Sequence, residues 1–317
     1  MSNFSERISE DVRNEMESPE FDARYTSKNG GRVFWVKAST APGFGKFVRE
    51  HPNYDDGVPA VYTTMSGASA AVVADRGDEV RVTAGHTEEF EKVFCLATAG
   101  VLWKGEGYNT KAPVLTISGA IHGVALTAAG IEFDNFRFAG PPIDGALSML
   151  KVRAAGCRVA NVVGVGTRDS NNFVDCIIVG ADANDFELNN VRLTSNGTAP
   201  VNSFLSFEGA VSRFTSAGFF ATGSVATAGV IDASGARQKQ SIISDWRIAV
   251  GGAAKPAVTL DTAGSEGMVT NCHLAGLHTT LASNGQFVGD WRLSQVYLNE
   301  EDSNASQAAI IPAVDTD

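Results

Sequence analysis

Asn190-Val191-Arg192-Leu193 is one copy of a phrase that recurs through the last two-thirds of the chain. Its other clear copies are Asn135-Phe136-Arg137-Phe138, Asn161-Val162-Val163, Asp245-Trp246-Arg247-Ile248, Asn271-Cys272-His273-Leu274 and Gln295-Val296-Tyr297-Leu298. A less regular Gly218-Phe219-Phe220 stands between the copies at 190 and 245. Each copy closes a unit in which a small or apolar strand-like run meets a Gly-centred break and then a second short strand. The residue after the leading Asn, Asp, Gly or Gln falls at 136, 162, 191, 219, 246, 272 and 296, at intervals of 26, 29, 28, 27, 26 and 24. Self-similarity at such a period marks a solenoid, propeller or array.

The period chooses among these. A WD-type propeller blade takes about 40–45 residues, and a left-handed hexapeptide helix about 18 per coil. The Leu-x-x-Leu-x-Leu frame of leucine-rich repeats is absent. Rungs of about 27 residues fit an all-β, right-handed parallel β-helix with three short faces. Strands of three to five residues are too short to stand alone. Stacked in parallel, they pair with the rungs above and below and line apolar positions into interior ladders. The units beginning Gly100-Val101-Leu102-Trp103 and Val114-Leu115-Thr116-Ile117 are the first rungs, and Gly130 and Gly156 split the next two. The polar stretch Ser234-Gly235-Ala236-Arg237-Gln238-Lys239-Gln240-Ser241 reads as a surface insertion.

The margins are organised differently. Residues 1–22 hold seven acids and two bases, with Ile8, Val12 and Met16 forming a thin helical stripe. This is either a solvated acidic segment or an arm that orders on a partner. Residues 30–59, with Val33-Phe34-Trp35-Val36 and Pro42, Pro52 and Pro59, are too apolar for a free linker and are expected to pack along a surface. Residues 65–74 read as an Ala/Val-rich capping helix, Asp75-Arg76-Gly77-Asp78 as a turn and Glu79-Val80-Arg81-Val82 as a strand. The expected organisation is an extended N-terminal arm over 1–59, a capped β-helix over 60–298 and an acidic tail over 299–317.

Composition bounds the function. Of 317 residues, 44% are apolar and 19% charged, which excludes bulk disorder. A net charge of −11 argues against a phosphate-backbone binder and against docking on anionic membranes. No apolar run is long enough to span a bilayer, and the first residues lack the build of a secretory signal. The cysteines at 95, 157, 176 and 272 have no C-x-x-C spacing and read as buried thiols rather than as disulfides or zinc ligands.

Residues 60–195 resemble a family of bacteriophage structural proteins. The resemblance rests on Ser69-Ala70-Ala71-Val72-Val73-Ala74, Gly77-Asp78-Glu79-Val80-Arg81-Val82 and Gly85-His86-Thr87-Glu88, followed by Gly100-Val101-Leu102-Trp103-Lys104-Gly105 and Ile131-Glu132-Phe133-Asp134-Asn135-Phe136-Arg137-Phe138. It implies a virion component made in the host cytoplasm, a homotrimer placed on head or tail. The segment before residue 60 departs from the family's usual opening.

Little in the repeats reads as chemistry. His86 has only Glu88 and Glu89 as local partners, short of a metal set, and reads as a turn histidine bonded to backbone. His273 and His278 have no carboxylate beside them. A glycosidase needs two carboxylates on one face about 5–10 Å apart. Glu132, Asp134, Glu187, Asp245 and Asp261 lie in or beside rungs, and Glu132 and Glu187 would be near 10 Å if aligned, at about 4.8 Å per rung. Trp246 and Trp291 read as corresponding packing positions. Gly105-Glu106-Gly107 and Gly164-Val165-Gly166 read as turn glycines, with no phosphate-binding helix after them. No catalytic, cofactor-binding or metal residue is assigned. The expected function is a non-enzymatic, trimeric head-decoration or fibre protein fastened to capsid or tail proteins by its arm. The alternative is a tail-fibre or tailspike adhesin for host surface glycans, with or without depolymerase activity.

Overall fold

The computed structural model describes residues 30–195, 199–233, 235–251, 255–276, 285–300 and 308–309. The acidic helix expected around Ile8, Val12 and Met16, and His278, lie outside them.

The leading residue of the recurrent phrase is where the chain bends. Asn135, Asn161, Asn190, Gly218, Asp245, Asn271 and Gln295 all have φ between 49° and 70°, the left-handed region. Glycine enters this region freely, and Asn and Asp enter it more readily than other residues with a β-carbon. That preference explains why the position reads Asn, Asp or Gly in six of seven copies. A second left-handed column, Gly100, Gly130, Gly156, Asp185, Arg213 and Gln240, lies under the Gly-centred breaks. Two bends per turn divide each rung into three strands.

Stacking these rungs gives a β-solenoid of about 9 turns whose long ladders are almost wholly parallel. The first face includes Leu102–Gly105, Glu132–Asp134, Arg158–Ala160 and the start of Glu187–Ser195. The second face carries Val114–Ile117, Arg137–Phe138, Val163–Val165 and the remainder of Glu187–Ser195. The third face carries His122–Leu126, Ser148–Val152, Asp175–Val179 and Ser203–Phe207. Thr215–Ser224, Val258–Gly276 and Gly285–Glu300 run through bends from one face to the next. The marks at 136 to 296 form one column: Phe136, Val162, Val191, Phe219, Trp246, Cys272 and Val296 are all buried. Opposite them Phe34, Val80, Trp103, Phe133, Val159 and Leu188 stack along the first face, also wholly inside. Each such side chain contributes roughly 1.5–3 kcal/mol on burial. The interior Ser216 interrupts the apolar lining, and Trp246 of the next rung donates its indole N–H to the serine hydroxyl at 2.8 Å.

The first turn departs from the expected boundary at residue 60. Val33–Val36 pairs in parallel with Glu79–Val82 on one side and Val61–Tyr62 on the other, so residues assigned to the arm build the solenoid's first rung. Phe34 and Val36 are as apolar as any interior position, and burial draws them in. A helix not expected from the sequence, Phe44–Glu50, stacks its Phe47 on the His51 that caps it, and both rings meet Trp35 edge-on. The expected helix over 65–74 is shorter, Met65–Ser69, capped by the Thr64 hydroxyl accepting from the Gly67 N–H. Met65 and Ala68 are buried, and the helix packs against the first strands.

The buried carboxylate of Asp78 organises this end. It accepts both ends of the Arg76 guanidinium at 2.6 and 2.7 Å, the Arg32 N–H at 2.9 Å and the Val73 N–H at 2.8 Å. At the other end, Gly285–Glu300 runs past residue 298, and Ala308–Ala309 pairs antiparallel with Tyr297 and Leu298. That short return covers part of an open edge. Within the stretch expected as an insertion, residues 235–241 are less superficial than expected. Gln238–Lys239 pairs with Val211–Ser212, and Gln238 is buried, donating its amide to the Ala236 carbonyl.

Candidate functional site

The sequence-derived candidates divide into fasteners and ladders. His86 is buried, and its Nε2 lies 3.1 Å from the Glu88 carboxylate, not on a backbone carbonyl as expected. Glu88 also accepts the Met65 N–H with both oxygens, at 2.9 and 3.1 Å. Gly-His-Thr-Glu therefore ties the start of the capping helix to the first strand of the second face. Among the described residues, no three of His, Cys, Asp and Glu gather as a metal set.

Glu132 and Glu187 do share a column, two rungs apart, and the rung between them supplies Arg158. Its guanidinium lies 3.5 Å from each carboxylate. Two acids separated by a cation on a water-exposed face form an ion-pair ladder, not a general acid facing a base. Asp134 accepts from the Asn161 amide and Asp245 sits at a bend, accepting from the Asn271 amide. Asp261 contributes its N–H to Asp232, whose carboxyl burial pushes up.

Trp246 and Trp291 do not correspond. Trp246 follows the second bend, whereas Trp291 pairs with Gly267 on the first face; both are interior. Gly105 and Gly164 are strand residues rather than turn residues. A side chain at Gly164 would collide with Met149 and Leu193 inside the coil, which is why the position is bare. Cys157, Cys176 and Cys272 are buried, but Cys95 faces out.

Two outward arrangements were not singled out by the sequence reading. On the third face His122, Ser148, Asp175 and Ser203 stack in register. Ser148 lies 3.0 Å from His122 Nδ1, and Ser203 donates to Asp175 at 2.6 Å. Desolvation, and then Lys151, lowers the His122 pKa. Ser148 is fully buried, so this column has no nucleophile open to a substrate.

The second face presents Arg137, Val163, Arg192, Phe220, Arg247, His273 and Tyr297 in one outward column. Arg192 lies 5.2 Å over the Phe220 ring, and His273 stacks on Tyr297 at 4.8 Å. A shallow groove of about 410 Å³ runs along Arg192, Phe220, Arg247 and His273. Arg192 also borders a second groove of about 590 Å³ lined by Arg137, Lys104, Tyr108 and the bend asparagines. Among the described residues no carboxylate pairs with Arg192 or Arg247, in contrast to Arg158 and Arg213 on the rungs' other outward positions. The signal was present in the sequence, in the x of apolar-x-apolar.

By its fold the protein is a parallel β-solenoid with a cationic and aromatic column on one face. Among solved structures it is similar to ORF18 of Geobacillus virus E2, with a TM-score of 0.41 and 10% identity over 95% of this chain. The match spans 66% of that protein's chain. No family model matches the chain, and no curated protein matches it.

Proposed function

We propose that this chain is a non-enzymatic structural protein of a bacteriophage virion, acting as a rigid solenoid rod that assembles as a homotrimer on the shell. The observation that carries the non-enzymatic reading is Arg158 lodged between Glu132 and Glu187, which turns the best-placed acid pair into a structural ladder. The virion reading rests on the sequence resemblance, whose Gly-His-Thr-Glu phrase has a mechanical job at the capped end. Ile242 and Met268, neighbours in register and both exposed, supply an apolar patch for contact between copies. Residues before 30 are the fastening segment, because those from 33 onward belong to the rod. Attachment to the assembled lattice stabilises it by mass action.

The test is addition of purified protein to emptied heads that lack it. Binding with a raised melting temperature supports the reading; binding to bare tails instead overturns the head placement. Release of reducing ends from any capsular polysaccharide overturns the non-enzymatic part. A second reading, an adhesin for host surface glycans, is favoured by one observation: the unpaired Arg192 and Arg247 flanking Phe220 in an open groove.

A further inference from the structure

Resting on that adhesin reading, we propose that the outward column of the second face binds an extended acidic polysaccharide carrying one carboxylate per disaccharide. Arg137, Arg192 and Arg247 occupy alternate rungs of one parallel ladder. At about 4.8 Å per rung, the backbone positions of successive arginines repeat at about 10 Å. The intervening rungs carry the uncharged Val163 and Phe220. A column of cations in adjacent rungs would repel itself, and the interposed aromatic both separates the charges and stacks under Arg192.

The column is also electrostatically unanswered. The protein carries a net charge of −11, yet no described carboxylate reaches Arg192 or Arg247. A planar guanidinium with free N–H groups matches a carboxylate through two parallel hydrogen bonds. A pyranose chain advances by close to one rung per sugar. Carboxylates on alternate sugars therefore meet the arginines, while the sugars between them lie beside the Arg192–Phe220 pair, along Thr194, Thr222 and Ala249 of the same groove. The adjoining groove continues the track past Arg137, where the Asn135, Asn161 and Asn190 bends and the exposed Tyr108 offer polar contacts to hydroxyls. Duplex nucleic acid fits worse, because each strand carries a phosphate about every 3.4 Å of helix axis, far denser than the arginines.

The experiment is calorimetric titration of the full chain at 50 mM and 200 mM salt with defined probes. These are hyaluronan octasaccharide, its carboxyl-reduced derivative, a polygalacturonate oligomer charged at every sugar, and an oligothymidylate. Hyaluronan is expected to bind most tightly, and carboxyl reduction to weaken it at least tenfold. Arg192→Ala and Arg247→Ala are each expected to weaken it at least tenfold, Arg192→Lys by less, with melting curves unchanged at these exposed positions. Equal binding of the reduced glycan overturns this proposal while leaving the adhesin reading standing. Binding of no glycan overturns both. Tightest binding of the oligothymidylate, or a change of oligomeric state in Arg247→Glu without glycan binding, assigns the face to nucleic acid or to a second copy and overturns it.

Discussion

Asn190 donates its side-chain amide to the Oδ1 of Asn161 one rung away, at 2.7 Å, and both residues hold the left-handed conformation. The same side chain that makes the bend accessible also links it to the next bend. Replacing Asn190 therefore separates two effects. Asn190→Gly keeps the backbone and loses one exposed hydrogen bond, an expected loss of about 1 kcal/mol or less. Asn190→Val adds the left-handed penalty of about 1–2 kcal/mol for a side chain branched at Cβ. Urea unfolding of both variants checks this, and equal stability of the two would show that φ is not what selects asparagine there.

Asp78 should be far less forgiving. Its carboxylate has no exposure and gathers Arg76 with two backbone donors from separate segments. Asp78→Ala leaves all of them unanswered and is expected to cost about 3–5 kcal/mol. Limited proteolysis should then cut first near residues 30–80, where the first rung loosens; a cut site confined to the far end would contradict the assignment.

Arg158 offers the opposite case. Its partners Glu132 and Glu187 are partly exposed, so Arg158→Ala is expected to cost under about 1 kcal/mol, and less still in 1 M salt. A loss of several kcal/mol that salt does not diminish would mean that the ladder is dry.

Burial raises the Asp175 carboxyl, against the hydrogen bonds from Ser203 and Asn202. A folded-state pKa above the unfolded one means that the native state binds the proton more tightly. Stability from this group therefore falls as pH rises from the unfolded value of about 3.9 through the folded one. Asp175→Asn keeps an acceptor oxygen and should be more stable than the parent at pH 7. The gap should close as the pH is lowered toward about 3.5. A gap of constant size across that range in denaturant titrations would refute the desolvation account.

Thiol chemistry should report the fold directly. Burial pushes the Cys157 and Cys176 thiols up, and that of Cys272 to about 11, while Cys95 is exposed. A thiol-specific disulfide reagent at pH 8 is expected to label one cysteine quickly in the native protein and the other three only after unfolding.

Much of this architecture was legible because the period also carries a phase. Residues four before each mark, Glu132, Arg158 and Glu187, and one after it, Arg137, Arg192 and Arg247, stack in the structure as that phase implies. The arginine between the acids is not legible in the sequence, because outward positions carry no burial pattern that marks a ladder. The second-face column is hidden for the same reason: the x of apolar-x-apolar looks like a spacer until the rungs are aligned.

The repeat, its interior column and its left-handed bends are written in the residues themselves, since these follow from local steric preference and from side chains that must leave water. The two ends are set by contacts between distant segments instead. Val33 meets Glu79 across a segment that contains two helices, Asp78 draws donors from three places, and Ala308–Ala309 turns back on Tyr297 and Leu298. Those contacts close loops whose lengths bear no relation to the period. Their residues are chosen by what the terminal rungs leave uncovered rather than by any pattern along the chain.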